Sequence, residues 1–172
     1  MSELTTEQLV QKQIAWAKDH VNTYLTSGGT KGHVMDIRWM DAHRFTTMLL
    51  MRYKGRKSGK TMVIGIHYVN IAGEAVIFGS KGGSDQHPEW YLNLKAGSPV
   101  AFQVATQAFN ATWREPEEGE EWNYISKHLA YVSPHYKKYV QMTKRKIPIV
   151  MLKAQDEIPV FKKSDVEGGW FA

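Results

Sequence analysis

The chain has 172 residues, no cysteine and a formal net charge of +5, with 42% hydrophobic and 23% charged residues. That composition describes a single globular domain large enough to bury a core, and it excludes disulfides and cysteine-held zinc. No apolar run approaches the roughly 18 residues a membrane-spanning helix needs, and Met1-Ser2-Glu3 does not open a basic-then-apolar leader, so a cytoplasmic protein is expected.

Residues 1–30 are expected to form an N-terminal amphipathic helix and its exit. Thr5 and Gln8 can make a capping box, and Val10, Ile14, Ala17, Val21 and Tyr24 share one stripe. Gly28-Gly29 ends the helix. The stripe is read as packing on the body of the protein, with peripheral membrane contact as the alternative. Phe45–Tyr53, Thr61–Ile71 and Glu74–Gly79 are rich in Val, Ile, Thr, Met and aromatics and read as strands, the last two joined at Ala72-Gly73. Val100–Ala105 and Ala108–Arg114 read as another hairpin. Pro116–Tyr131 reads as a helix with acids in its first turns, where the helix dipole favours them. Ser133-Pro134 is a good N-cap and first-turn pair for a second helix through Thr143. Ile147–Ala154 is a last strand, and 157–172 a tail. The strands come in hairpins and never alternate with helices. That predicts a mainly β, antiparallel barrel over 31–156 with peripheral helices near 117–131 and 134–143.

Charge is concentrated. Five of nine residues in Arg52–Lys60 are basic, as are five in Lys137–Lys146, and the acidic block Glu115–Glu121 conceals their weight in the net figure. The segment Lys54-Gly55-Arg56-Lys57-Ser58-Gly59-Lys60 lies between two strands, and Gly79-Ser80-Lys81-Gly82-Gly83 ends a third. Two successive turns rich in glycine and cations are a plausible cradle for a phosphorylated ligand, because glycine lets backbone N–H groups approach an anion. Solvated surface charge is the competing explanation for either cluster alone. The first turn is not a P-loop: its glycines are spaced one residue too closely, and a strand follows where a helix is required. The seven histidines show no metal-ligand spacing, so no metal site is expected. No nucleophile elbow is present. Nucleic-acid binding is not expected, since no recognition motif accompanies the basic clusters. Tyr136 and Tyr139 share a helix face, either as core or as the wall of a pocket.

Gly55-Arg56-Lys57-Ser58-Gly59, Ser80-Lys81-Gly82-Gly83, His87-Pro88-x-Trp90-Tyr91-x-Asn93-Leu94 and Ile147-Pro148-Ile149-Val150, in that order, resemble the deazaflavin-dependent nitroreductase and quinone reductase family. The resemblance spans about Phe45 to Leu152. It implies a split β-barrel of the flavin-reductase type that binds coenzyme F(420), a deazaflavin with a phosphate and a polyglutamate tail. Hydride would pass from the reduced coenzyme to a quinone, enone or nitro compound. Carried across by motif, Arg56, Lys57 and Lys81 would hold the phosphate and tail, with Ser58 in the same loop. Ser80, Gly82 and Gly83 would offer close backbone approach, and Trp90 and Asn93 belong to the matching cofactor motif. Gly65, Ile66 and His67 would line the deazaflavin ring. Tyr136, Tyr139 and Ser133 would face the substrate as the catalytic set. Met62, Ile64-Gly65 and Ser133 depart from the pattern of nitro-reducing relatives, which weighs against nitro compounds more than against the coenzyme. The rival expectations are an FMN-dependent split-barrel oxidoreductase and a non-catalytic carrier of a cofactor or lipophile. The partner expected is a small hydride acceptor, and the protein is read as a monomer or weak homodimer.

Overall fold

The computed structural model describes residues 6–38 and 45–168, with the side chains of 6, 7, 9 and 10 outside the description. Thr5 of the capping box, the Val10 side chain and His43 therefore lie outside the described residues.

The elements in chain order are α1 (Thr6–Thr26), β1 (Val34–Asp36), β2 (Phe45–Lys54), β3 (Thr61–His67), β4 (Val69–Ile71), β5 (Glu74–Phe78), α2 (Glu89–Lys95), β6 (Val100–Val104), β7 (Gln107–Arg114), α3 (Glu120–Val132), α4 (Pro134–Met142) and β8 (Ile149–Ile158). Every pairing is antiparallel. The expected run Thr61–Ile71 is one extended stretch broken at Tyr68. Its first part pairs with β2 and its second with β5. With β2-β6-β7-β8-β5 between them, this stretch joins the two ends of the sheet and curls it into a split-barrel form. The break lets one segment serve two edges that a straight strand could not reach together. Closure is also how a sheet this short avoids exposed edges.

Strands β2, β5 and β6 and the start of β8 are buried on both faces and so read as largely apolar runs. Leu49, Met51 and Tyr53 of β2, Ala75 and Ile77 of β5, and Val150 and Leu152 of β8 point into one cluster with Trp90 and Leu94 of α2. Their alternate neighbours face outward under helices. Leu50, Val63, Ala101 and Ala108 meet Val21, Tyr24 and Leu25 of α1. Val76, Phe78, Ile149 and Met151 meet Ile125 and Leu129 of α3 and Tyr136 of α4. This is the period of two expected of strands covered on both sides.

The stripe on α1 thus packs on the barrel along its C-terminal half. Tyr24 is fully buried, and its hydroxyl accepts from Ala105 N at 2.7 Å. Burial pushes that phenol up to about 12. The tail 157–172 is in part structure: β8 runs on to Ile158, and Phe161 is buried with its N–H given to Gln103 Oε1 at 2.8 Å. Glu167 and Gly168 then donate to the Thr61 carbonyl.

Candidate functional site

The loop 55–60 closes on itself, with Gly55 N donating to Lys60 O at 3.0 Å and Gly59 N to Gly55 O at 2.7 Å. Ser58 is exposed and accepts from Lys60 N at 3.2 Å, so it shapes the loop. Arg56 is fixed from below. Asn93, buried on α2, accepts from Arg56 N at 3.0 Å and from Arg56 Nη1 at 2.9 Å, and Glu89 takes the same Nη1 at 2.6 Å. Glu89 also reports on its surroundings. Its carboxyl is held below the ordinary range first by the Arg56 bond and further by the charges of Arg56, Lys57 and Lys81. The two basic turns, far apart in sequence, therefore converge at the start of α2.

The second turn, Lys81–Gly83, is a single 3-10 turn entered from Ser80. Lys81, Gly82 and Gly83 take φ of 47°, 64° and 83°, a conformation glycine adopts without strain. Nothing stands within 4 Å of where a Gly82 Cβ would be, so its backbone can be approached directly. At Gly83 a Cβ would meet Met142 Cβ at 2.9 Å, which fixes the turn against α4. Arg145 straps the turn from behind: Nη2 donates to the carbonyls of Gly79 and Ser80 and Nε to that of Ser84, all at 2.8 Å. Sequence reading placed Arg145 only in a basic cluster; it holds the turn instead of offering charge to a ligand.

Beside the cradle lies an open cleft of about 200 Å³, lined by Trp16, Thr46, Gly65, Ile66, His67, Phe78, Ser80, His135 and Tyr139 among others. Five of the expected site residues (Gly65, Ile66, His67, Ser80 and Tyr139) meet here. Ser80 belongs to both features, at the cleft wall and at the entry to the second turn. Trp16, Thr46, Phe78 and His135 were not singled out from sequence. They resemble ordinary helix and strand residues, and only the closure of α1, β2, β5 and α4 around one space gives them a common neighbour.

The other expected residues sit behind the cleft and the cradle. Trp90 is 5% exposed within the barrel cluster, so it supports the cradle from below and offers no open ring face. Tyr136 packs edge-on to Phe78 with centroids 4.9 Å apart and is 4% exposed, and burial raises its phenol. Three residues on, Tyr139 is half-buried and faces the cleft, its phenol also raised by burial. Ser133 is fully buried at the N-cap position of α4, yet its hydroxyl makes no cap. It lies 2.8 Å from His67 Nε2 instead, while its carbonyl takes Tyr136 N. His67 Nδ1 contacts Thr46 Oγ1 and lies 3.2 Å from the Thr47 carbonyl.

Residues and space suit an anionic cofactor with a ring system. Three cations and an open glycine backbone suit a phosphate and acidic tail. The adjoining apolar cleft suits a planar ring. Tyr53 adds an orphaned polar atom: its buried hydroxyl has no hydrogen-bond partner among the described residues, and Glu89 adds to burial in raising its pKa.

Comparison with known proteins agrees with this geometry. Residues 16–154 match the family model described as F420H(2)-dependent quinone reductase. An F420H(2)-dependent quinone reductase of Mycobacterium tuberculosis is 27% identical over 151 residues, covering 80% of this chain and 95% of that protein. A solved F420-H2 dependent reductase superposes with a TM-score of 0.55 at 34% identity, covering 62% of this chain and 93% of its own. Another solved structure, described as a domain-swapped dimer, has a TM-score of 0.58 at 31% identity over 82% of this chain and 99% of its own.

Proposed function

This chain belongs to the F420H(2)-dependent quinone reductase family, and on that premise we propose that it transfers hydride from reduced coenzyme F(420) to a quinone-type acceptor seated in the cleft. The reduced deazaflavin, when bound, supplies the hydride; the protein supplies binding, orientation and a dry site. Lys57, Lys81 and the Asn93-braced Arg56 hold the phosphate and acidic tail, aided by the open backbone of Gly82. Gly65, Ile66 and His67 lie along the ring. Phe78, Trp16 and Ile66 exclude water, which strengthens every polar contact within. Tyr139 offers its phenol to the acceptor from α4, while Tyr136 and Ser133 hold that wall in place.

The observation that carries this reading is the convergence of cations from two separate turns beside an apolar cleft, with Ser80 common to both. Enones fit the same cleft as electron-poor acceptors. Membrane contact through α1 would have to use its N-terminal half, because His20, Val21, Tyr24 and Leu25 are buried against the body. No described helix is long and apolar enough to cross a membrane.

Titration with oxidised coenzyme F(420) and with FMN, followed by cofactor fluorescence, tests the assignment. Selective deazaflavin binding is expected. The double variant Lys57→Ala/Lys81→Ala should bind about 10–100-fold more weakly, losing two charge-assisted contacts. Preference for FMN, or unchanged binding in the double variant, refutes the proposal.

A further inference from the structure

Thr46, His67 and Ser133 form a chain of hydrogen-bonding groups along the cleft, contributed by β2, β3 and the start of α4. The donor directions follow from the partners. A carbonyl can only accept, so the hydrogen on His67 belongs on Nδ1, which faces the Thr47 carbonyl at 3.2 Å and Thr46 Oγ1. Neutral Nε2 then accepts from the Ser133 hydroxyl at 2.8 Å. With its oxygen taking the imidazole N–H, Thr46 keeps its own O–H hydrogen to give. Among the described residues no hydrogen bond uses that hydrogen, and Thr46 lines the cleft. Tyr139 also faces the cleft, but no described residue braces its hydroxyl.

We infer that Thr46, beside the Tyr139 phenol, gives a braced hydrogen bond to the acceptor's carbonyl oxygen and stabilises the charge developing on it, with His67 and Ser133 as positioning residues. The inference deepens the proposed quinone reduction and rests on it. The reduced deazaflavin, when bound, would supply the hydride and give up a proton to water as it is oxidised, and the hydride would bond to a carbon of the quinone or enone. The displaced π electron pair moves onto the carbonyl oxygen. Thr46 donates a hydrogen bond to that oxygen and keeps its proton; the proton that neutralises the product comes from water. A donor already oriented by two further hydrogen bonds needs no reorganisation as charge builds, and a cleft walled by Phe78, Ile66 and Trp16 screens it little. The arrangement also accounts for Ser133 leaving its cap unmade: its hydroxyl fixes the imidazole.

The test uses Thr46→Val, which keeps the side chain's shape and removes the hydroxyl. It should lower kcat for quinone reduction on the order of 10²-fold. The affinity for oxidised coenzyme F(420), read by fluorescence, should hold, and KM for the quinone should rise far less than kcat falls. Thr46→Ser should restore turnover to the order of the wild type. His67→Phe should lower kcat in the wild-type background and little further in Thr46→Val, because the two act as one unit. Infrared difference spectra of a bound enone, with the oxidised coenzyme present, should show a carbonyl stretch lowered in wild type and Thr46→Ser and restored in Thr46→Val. If wild type neither binds the oxidised coenzyme nor oxidises the reduced one with quinones, the underlying reading falls. If wild type is competent and Thr46→Val keeps both its kcat and its carbonyl shift, the inference alone falls.

Discussion

Gly65 has a structural cause that is independent of any ligand, and Gly65→Ala tests it. A Cβ there would stand 2.6 Å from His20 Nδ1, 2.8 Å from Cε1 and 3.4 Å from Val21 Cγ2. The imidazole is not free to yield. It is 4% exposed, lies 2.8 Å from the Gly32 carbonyl through Nε2, and stacks on Trp16 with centroids 5.4 Å apart. Overpacking of this kind costs about 1–3 kcal/mol. Replacing glycine by alanine regains about 0.4–1 kcal/mol through the unfolded chain, since no positive φ stands in the way. The net expectation is a loss of about 1–2 kcal/mol, or roughly 2–8 °C in Tm for a chain of this length. Urea titration and calorimetry measure it. In a His20→Ala background the clash is gone and the Gly65→Ala penalty should shrink to below about 0.5 kcal/mol. Equal stability of Gly65→Ala and wild type, or an undiminished penalty in the double variant, refutes the claim that α1 docking demands this glycine. A shifted α1 would also move Trp16 in the cleft wall, so coenzyme affinity should fall along with stability.

Tyr139→Phe should lower turnover while leaving the Kd for oxidised coenzyme nearly intact; a large loss of affinity would move Tyr139 to the cofactor side. Asn93→Ala removes the acceptor for Arg56 N and Nη1, so about 1–3 kcal/mol of stability and part of the coenzyme affinity should go together, measured by denaturation and fluorescence titration. Phe161→Ala should cost about 3–5 kcal/mol and expose 161–168 to limited proteolysis, since the ring is buried and Arg52 lies 4.5 Å over it. The Glu121 carboxyl is held down at about 2 from 4.5, first by Arg114 and then by the Glu117 N–H. A depressed acid stabilises the fold above its unfolded value and loses that contribution as pH falls through the folded one. Glu121→Gln should therefore flatten acid unfolding between about pH 4.5 and 2 and change little on further acidification.

Much of this molecule is legible from local chemistry. Ala72-Gly73 turns the β4–β5 hairpin with φ of 52° and 83°, as its residues suggest. Gly28-Gly29 ends α1, and Ser133-Pro134 opens α4. Composition marks the two basic glycine turns, because anion chemistry needs those residue types whatever the surroundings. Element boundaries, the short strand β1 and the helix α2 were not read from the sequence. Ser133 reads as a cap, since a cap is a local contact, yet its hydroxyl goes to His67, 66 residues away in sequence. Trp90 is visible in the sequence as part of a cofactor motif, which is local; its burial beneath the cradle is decided by which face of α2 meets the barrel.

Local spacing along the chain sets the buried strands, the helices that cover them and the cations beside glycines, because each depends on residues only a few positions apart. Folding in three dimensions is needed for Tyr68 to split a strand between two edges, for Arg56, Lys57 and Lys81 to gather near Glu89, and for Thr46 to meet His67 across 21 residues. Those relations come from strand register and helix docking, where the energy of a contact depends on a partner that no local pattern names.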